Sequence, residues 1–147
     1  MKRIIESRKL FNVNHDAELG HLKNTYRNLM KEWHPDKFSE GDERFVEAEH
    51  KSKAIIEAYH LLVSVSPETH KSNAEEYSIT TTNSSIDDLF YKGQTLKIIF
   101  QDGSIYEYFG VPRNIYLKMI NSPTLTRFAR RHIFNSYLYR NHTKRSL

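Results

Sequence analysis

The chain has no cysteine, and only five glycines and four prolines among its 147 residues. Without cysteine there is no disulfide framework, thiolate metal site or cysteine nucleophile. With so few glycines and prolines, each one is a usable boundary mark. No segment approaches the roughly 18 consecutive apolar residues of a membrane span. The opening MKRIIESRKLF starts basic but holds no apolar run long enough for a signal peptide. The expectation is a soluble, cytoplasmic protein without a membrane partner. Acidic residues are missing from one region. None follows Glu107, whereas Arg113, Lys118, Arg127, Arg130, Arg131, Arg140, Lys144 and Arg145 do. Residues 1–71 carry as many acids as bases, so the net charge of +4 belongs to the second part. That asymmetry points to an anionic partner there, with a solvated basic surface as the alternative.

The strongest pattern runs from Tyr26 to Lys37, YRNLMKEWHPDK. Leu22, Tyr26, Leu29 and Trp33 recur at spacings of four, three and four, which makes one apolar helix face. Lys23, Arg27 and Lys31 recur every fourth residue as a basic stripe beside it. The residue before a proline is pushed out of the helical region, so this helix stops at about His34. Asp36 suits the turn that follows, because its carboxylate can accept from nearby backbone N–H groups.

A short first helix is expected over Ile4–Phe11. Asn14-His15-Asp16 is read as the turn capping the next helix, whose pattern runs from Ala17 to Trp33. Gly20 in its first turn costs up to about 1 kcal/mol against alanine. Asp42 is the expected N-cap of a third helix. There Phe45, Ala48, Ser52, Ile55, Tyr59 and Leu62 form the seam that packs on Leu22, Tyr26, Leu29 and Trp33. Pro67 ends that helix, and Pro67–Ser72 forms a last brief turn.

A basic helix ending in His34-Pro35-Asp36-Lys37 resembles the J-domain of DnaJ-type co-chaperones. Ile55-Ile56-Glu57-Ala58-Tyr59-His60-Leu61-Leu62 resembles the I-x-x-A-Y-x-x-L pattern of that family's partner helix, and Leu10-Phe11-Asn12-Val13 its L-G-V segment. The resemblance implies an α-helical hairpin over residues 1–72 and a DnaK-type heat-shock chaperone as partner. It further implies that Lys23, Arg27, Lys31, His34, Pro35, Asp36 and Lys37 bind the chaperone's ATPase domain and stimulate ATP hydrolysis. The module would contribute no catalytic group. Asn28 replaces a commonly basic position, and the family's glycine/phenylalanine-rich linker and zinc-binding cysteines are absent. No further ligand or nucleophile stands at recognisable spacing from His34 and Asp36, so neither enzyme activity, metal nor cofactor is expected.

Residues 73–84 read as a polar linker, with a possible strand near Tyr77–Thr82. Strands are expected over Ile86–Tyr91, Thr95–Phe100 and Ser104–Phe109, with turns at Lys92-Gly93 and Asp102-Gly103. A two-residue loop at Asp102-Gly103 would pair Phe100 with Ile105, Ile98 with Glu107 and Leu96 with Phe109. Leu96, Ile98, Phe100, Ile105 and Phe109 would then share the core face, and Lys97, Ile99, Tyr106 and Tyr108 the other. Helices follow at Val111-Pro112, with Ile115, Tyr116, Met119 and Ile120, and at Ser122-Pro123, with Leu125, Phe128, Ala129, His132 and Ile133. Residues 85–147 thus form a small α+β domain, an antiparallel sheet followed by helices. Leu96, Phe100, Gly103-Ser104, Tyr106-Glu107-Tyr108, Val111-Pro112, Tyr116, Ile133 and Tyr137 resemble the KTSC domain, a module found alone or at the end of some lysyl-tRNA synthetases. Its S-x-G segment is replaced by Thr124-Leu125-Thr126. RNA binding has been proposed for that family. An RNA surface here would stack bases on Tyr106 and Tyr108 and hold phosphates with Lys97, Arg127, Arg130 and Arg131. A protein client held by this domain is the other reading.

Overall fold

The computed structural model describes residues 1–143; Lys144 and Arg145, the last of the basic residues after Glu107, lie outside them. The chain divides into two compact units, Lys2–Thr69 and His70 onward.

In the first unit, α1 (Lys2–Phe11) buries Ile4, Ser7 and Phe11. It ends in a left-handed turn at Asn12, φ 53°. The Asn12 N–H donates to the Lys9 carbonyl at 3.1 Å and the Val13 N–H to the Arg8 carbonyl at 3.0 Å. This is the Schellman closure, with asparagine where glycine is commoner. α2 (Leu19–Trp33) begins later than the expected Ala17. Asn14-His15-Asp16 does not cap it. Its N-cap is Glu18, which makes no side-chain cap bond. The Leu19 N–H donates instead to Glu68 Oε1 at 2.9 Å, 49 residues away in sequence. A cap delivered from so far leaves no local sequence pattern. α3 (Glu43–Ser64) has the expected N-cap, Asp42 Oδ1 accepting from the Arg44 N–H at 2.9 Å.

The two long helices run antiparallel: Tyr26 stacks on Tyr59 at 4.4 Å, and Trp33 carries Lys51 Nζ 4.9 Å from its ring centre. Going up one helix therefore means going down the other. Leu22, Ile55, Ala58 and Leu62 are buried in this seam. Burying a leucine or isoleucine contributes about 1.5–3 kcal/mol each. Ser52, the polar member, is buried with its hydroxyl donating to the Glu49 carbonyl at 3.0 Å. α4 (Pro67–Ser72) closes the region as expected, and the boundary between the units falls within it.

The second unit opens with α5 (Ala74–Asn83), a helix where the sequence pattern predicts a linker and a strand. Its run Ile79-Thr80-Thr81-Thr82-Asn83 is poor in helix formers, and tertiary packing overrides that preference. Tyr77 and Thr80 are its buried residues. The strands β1 (Ile86–Lys92), β2 (Thr95–Phe100), β3 (Ile105–Phe109) and β4 (Leu138–Asn141) form one antiparallel sheet in sequence order. β4 stands where the sequence pattern predicts no strand. α6 (Arg113–Ile120) and α7 (Leu125–His132) stand between β3 and β4.

The first hairpin turns on Gly93 and Gln94, both left-handed at φ 56° and 63°, one residue beyond the expected pair. That is the type I′ turn whose twist suits adjoining strands. The second hairpin departs from the expected register. Phe100 closes on Ser104, its N–H donating to the Ser104 carbonyl at 2.9 Å, while the Gly103 N–H returns to the Phe100 carbonyl at 3.0 Å. With Gly103 at φ 89°, the loop has three residues, not two. Ile98 therefore pairs with Tyr106 and Leu96 with Tyr108. A one-residue shift moves every side chain of β3 to the other face. Leu96, Ile98, Phe100, Tyr106 and Tyr108 form the core with Tyr77, Met119, Ala129, Ile133 and Phe134.

Candidate functional site

The end of α2 presents the expected constellation. Lys23, Arg27, Lys31 and Lys37 are all exposed. The His34 N–H still bonds the Met30 carbonyl at 2.8 Å, but His34 itself is extended, φ −62° and ψ 132°. Pro35–Lys37 then makes a single 3-10 turn. His34 Nδ1 accepts from the Asp36 N–H at 3.1 Å. The side chains of His34 and Asp36 are 49% and 92% exposed. The loop is thus a surface hook, fixed at its base where Lys51 lies over Trp33. Across the connection Arg44 lies 5.3 Å from the Phe38 ring centre, and its hydrogen bonds hold the Asp42 carboxyl below the usual range.

The candidate residues of the second unit do not assemble as expected. Tyr106 and Tyr108 are fully buried, because the hairpin register turns them inward and α5 covers them. Tyr77 stacks on Tyr139 at 3.9 Å and meets Tyr106 edge-on at 5.1 Å. Burial pushes the Tyr108 phenol well up, and burial with nearby Glu76 pushes Tyr106 up to about 12. Neither ring can stack a base. Lys97 pairs with Glu107 on the opposite face of the sheet, its Nζ 5.5 Å from the Phe90 ring centre. Arg130 is engaged at the C-terminal end of α5, donating to the Thr82 carbonyl at 3.3 Å and the Thr81 carbonyl at 3.5 Å. That is where the helix dipole favours a cation. Arg127 and Arg131 are exposed on α7, on the far side of the sheet from Lys97.

Residues 9–72 match the family model of the DnaJ domain, and residues 82–137 that of the KTSC domain. The chain carries both. No curated protein matches it. The DnaJ domain includes α2, the His34-Pro35-Asp36 turn, α3 and α4, and it implies an Hsp70 partner of the DnaK type. The KTSC match starts inside α5, so the first eight residues of that helix lie outside both domains. Among the described residues no helix is long and apolar enough to cross a membrane, and no group of three or more His, Asp or Glu side chains is placed to hold a metal ion.

Two arrangements escaped the sequence reading. One is the cap that Glu68 places on α2 beneath the DnaJ basic stripe. The other is on the KTSC sheet, where Arg140 donates twice to the buried Glu107, at 2.7 and 3.0 Å, and His142 Nδ1 lies 2.8 Å from the same oxygen. Arg140 is therefore a structural cation of β4 and not part of a free basic tail. Only the strand pairing of Glu107 with Arg140 reveals this.

Proposed function

We propose that this chain is a co-chaperone that stimulates the ATPase of a DnaK-type chaperone, while its KTSC domain holds a protein client. The observation that carries the first half is the exposed His34-Pro35-Asp36 turn at the end of a helix bearing exposed Lys23, Arg27 and Lys31. The loop docks on the ATPase domain, and the stripe steers the encounter with an acidic surface there. No group of the chain enters the hydrolysis. The complex binds the hydrolysis-competent state of the chaperone more tightly than the other state, which is the only way a partner can shift that equilibrium. The test is ATPase turnover of a DnaK-type chaperone with and without the chain. Unchanged turnover at saturating chain overturns the reading.

The protein-client half rests on the fate of Tyr106 and Tyr108. An RNA surface was argued from their exposure, and both are core. The RNA reading keeps only Lys97, Arg127 and Arg131, on two sides of the sheet. Crosslinking in cell extract decides between them: protein recovered on residues from His70 onward supports the client reading, and RNA recovered there reverses it.

A further inference from the structure

The helix that presents the basic stripe is weakly begun. Its N-cap, Glu18, is extended at φ −72° and ψ 152° and makes no side-chain cap bond, and its first turn holds no acidic residue. Gly20 lies in that turn with nothing within 4 Å of where a Cβ would stand, so no close approach requires it. It only loosens the helix. The first backbone N–H groups of a helix have no partner within it. One of them, on Leu19, is satisfied by Glu68 Oε1 at 2.9 Å. A carboxylate at this end also meets the positive pole of the helix.

We propose that Glu68 is a positioning residue for the chaperone contact, seating the opening turn of α2 and thereby Lys23. This rests on the co-chaperone reading above. Lys23 stands one turn beyond Leu19, and its backbone N–H closes on the Leu19 carbonyl in a regular helix. When the first turn frays, the head of the stripe frays with it. Arg27, Lys31 and the His34-Pro35-Asp36 turn lie further along and keep their places. Glu68 itself is exposed, and the chain before it is anchored. Val65 and Ser66 are buried just before Glu68, and they share the wall of a cavity of about 10 Å³ with Ala17 and Leu22. Pro67 then sets the chain into α4 with Glu68 in its first turn.

The experiment uses the full chain and the variants Glu68→Ala, Glu68→Gln, Lys23→Ala and the Glu68→Ala/Lys23→Ala pair. In the free chain, Glu68→Ala should speed amide exchange at Leu19 about fivefold, as loss of a cap does. In the chaperone assay it should raise the concentration for half-maximal ATPase stimulation about twofold to threefold, the size of one exposed charge contact. Maximal stimulation should be unchanged. Glu68→Gln, which keeps an acceptor oxygen, should recover most of both effects. The double variant should match Lys23→Ala alone, because Glu68 acts through Lys23. Unchanged exchange in Glu68→Ala, a lowered maximum, or defects that multiply in the double variant would each overturn the proposal. Absence of stimulation by the unaltered chain overturns the co-chaperone reading and this role with it. Leu19 exchange then still reports whether the cap exists.

Discussion

The Tyr77 hydroxyl lies 3.0 Å from that of Tyr108 and donates to the Phe134 carbonyl at 2.6 Å. One side chain of α5 thus ties the sheet to the end of the helical layer. Replacing Tyr77 with Phe should destabilise the second unit by about 1–3 kcal/mol, the cost of leaving buried polar groups short of a partner. For the same reason a fragment starting at residue 70 should unfold cooperatively in denaturant, and one starting at residue 85 should not. Equal midpoints for the two fragments would show α5 to be dispensable.

Tyr106 and Tyr108 are core side chains, so alanine at either should cost about 3–5 kcal/mol of stability. If nucleic acid binds this domain, the exposed Arg127 and Arg131 carry it on one side of the sheet and Lys97 on the other. Their loss should then lower the log–log salt slope by about 0.7 each for a single strand. Loss of RNA affinity on Tyr106→Ala in a domain that remains as stable as the original would contradict the burial.

The His34 and Asp36 side chains are exposed, and the hydrogen bond that His34 Nδ1 accepts from the Asp36 N–H lies within the turn. His34→Gln and Asp36→Asn should abolish ATPase stimulation while shifting unfolding by less than about 1 kcal/mol. Full stimulation by either variant, with the fold intact, removes the loop from the mechanism.

Charge reversal at Arg27 and Lys31 should slow association with the chaperone more than it speeds dissociation. The defect should shrink as salt rises, because both side chains are exposed and screened. A defect of equal size at low and high salt points to altered packing of α2 instead.

Burial raises the pKa of the Tyr77, Tyr106, Tyr108 and Tyr139 phenols. A folded-state pKa above the unfolded value means that the contribution to stability is complete below the ordinary phenol range. It is lost as pH rises from about 10 upward. His70 is shifted the opposite way for the same reason: burial outweighs its bond to the Tyr139 carbonyl and lowers its pKa. Its contribution is therefore complete above the ordinary imidazole range and falls away in acid. The unfolding midpoint of the second unit should be flat from neutral pH to about 10 and then drop, as these four phenols ionise more readily in the unfolded chain. A midpoint that stays flat through that range would mean that these four phenols are open to solvent in the folded unit.

The helical part was legible because its signals are local. The four-three-four spacing of Leu22, Tyr26, Leu29 and Trp33, the stop before Pro35 and the cap at Asp42 each need only a few consecutive residues. The His34-Pro35-Asp36 turn and its basic stripe follow from them, and all seven candidate residues lie on α2 and the turn after it. The two strand hairpins were visible through their glycines, though the first turn lies one residue further on and the second loop is one residue longer than the pattern predicts.

What the sequence could not decide was settled by partners far along the chain. Glu68 caps a helix that starts 49 residues earlier, so no window around Leu19 contains the reason. The polar stretch Ala74–Asn83 becomes a helix only because Tyr77 and Thr80 find Tyr108, Phe134 and Asp102 across the fold. A single extra residue in the loop at Gly103 inverts β3 and takes Tyr106 and Tyr108 from a presumed binding face into the core. A strand has a period of two, so one residue of register outweighs everything its composition suggests. Local pattern determined the helices around the His34-Pro35-Asp36 turn; long-range contacts alone decided which aromatic side chains of the second unit face water.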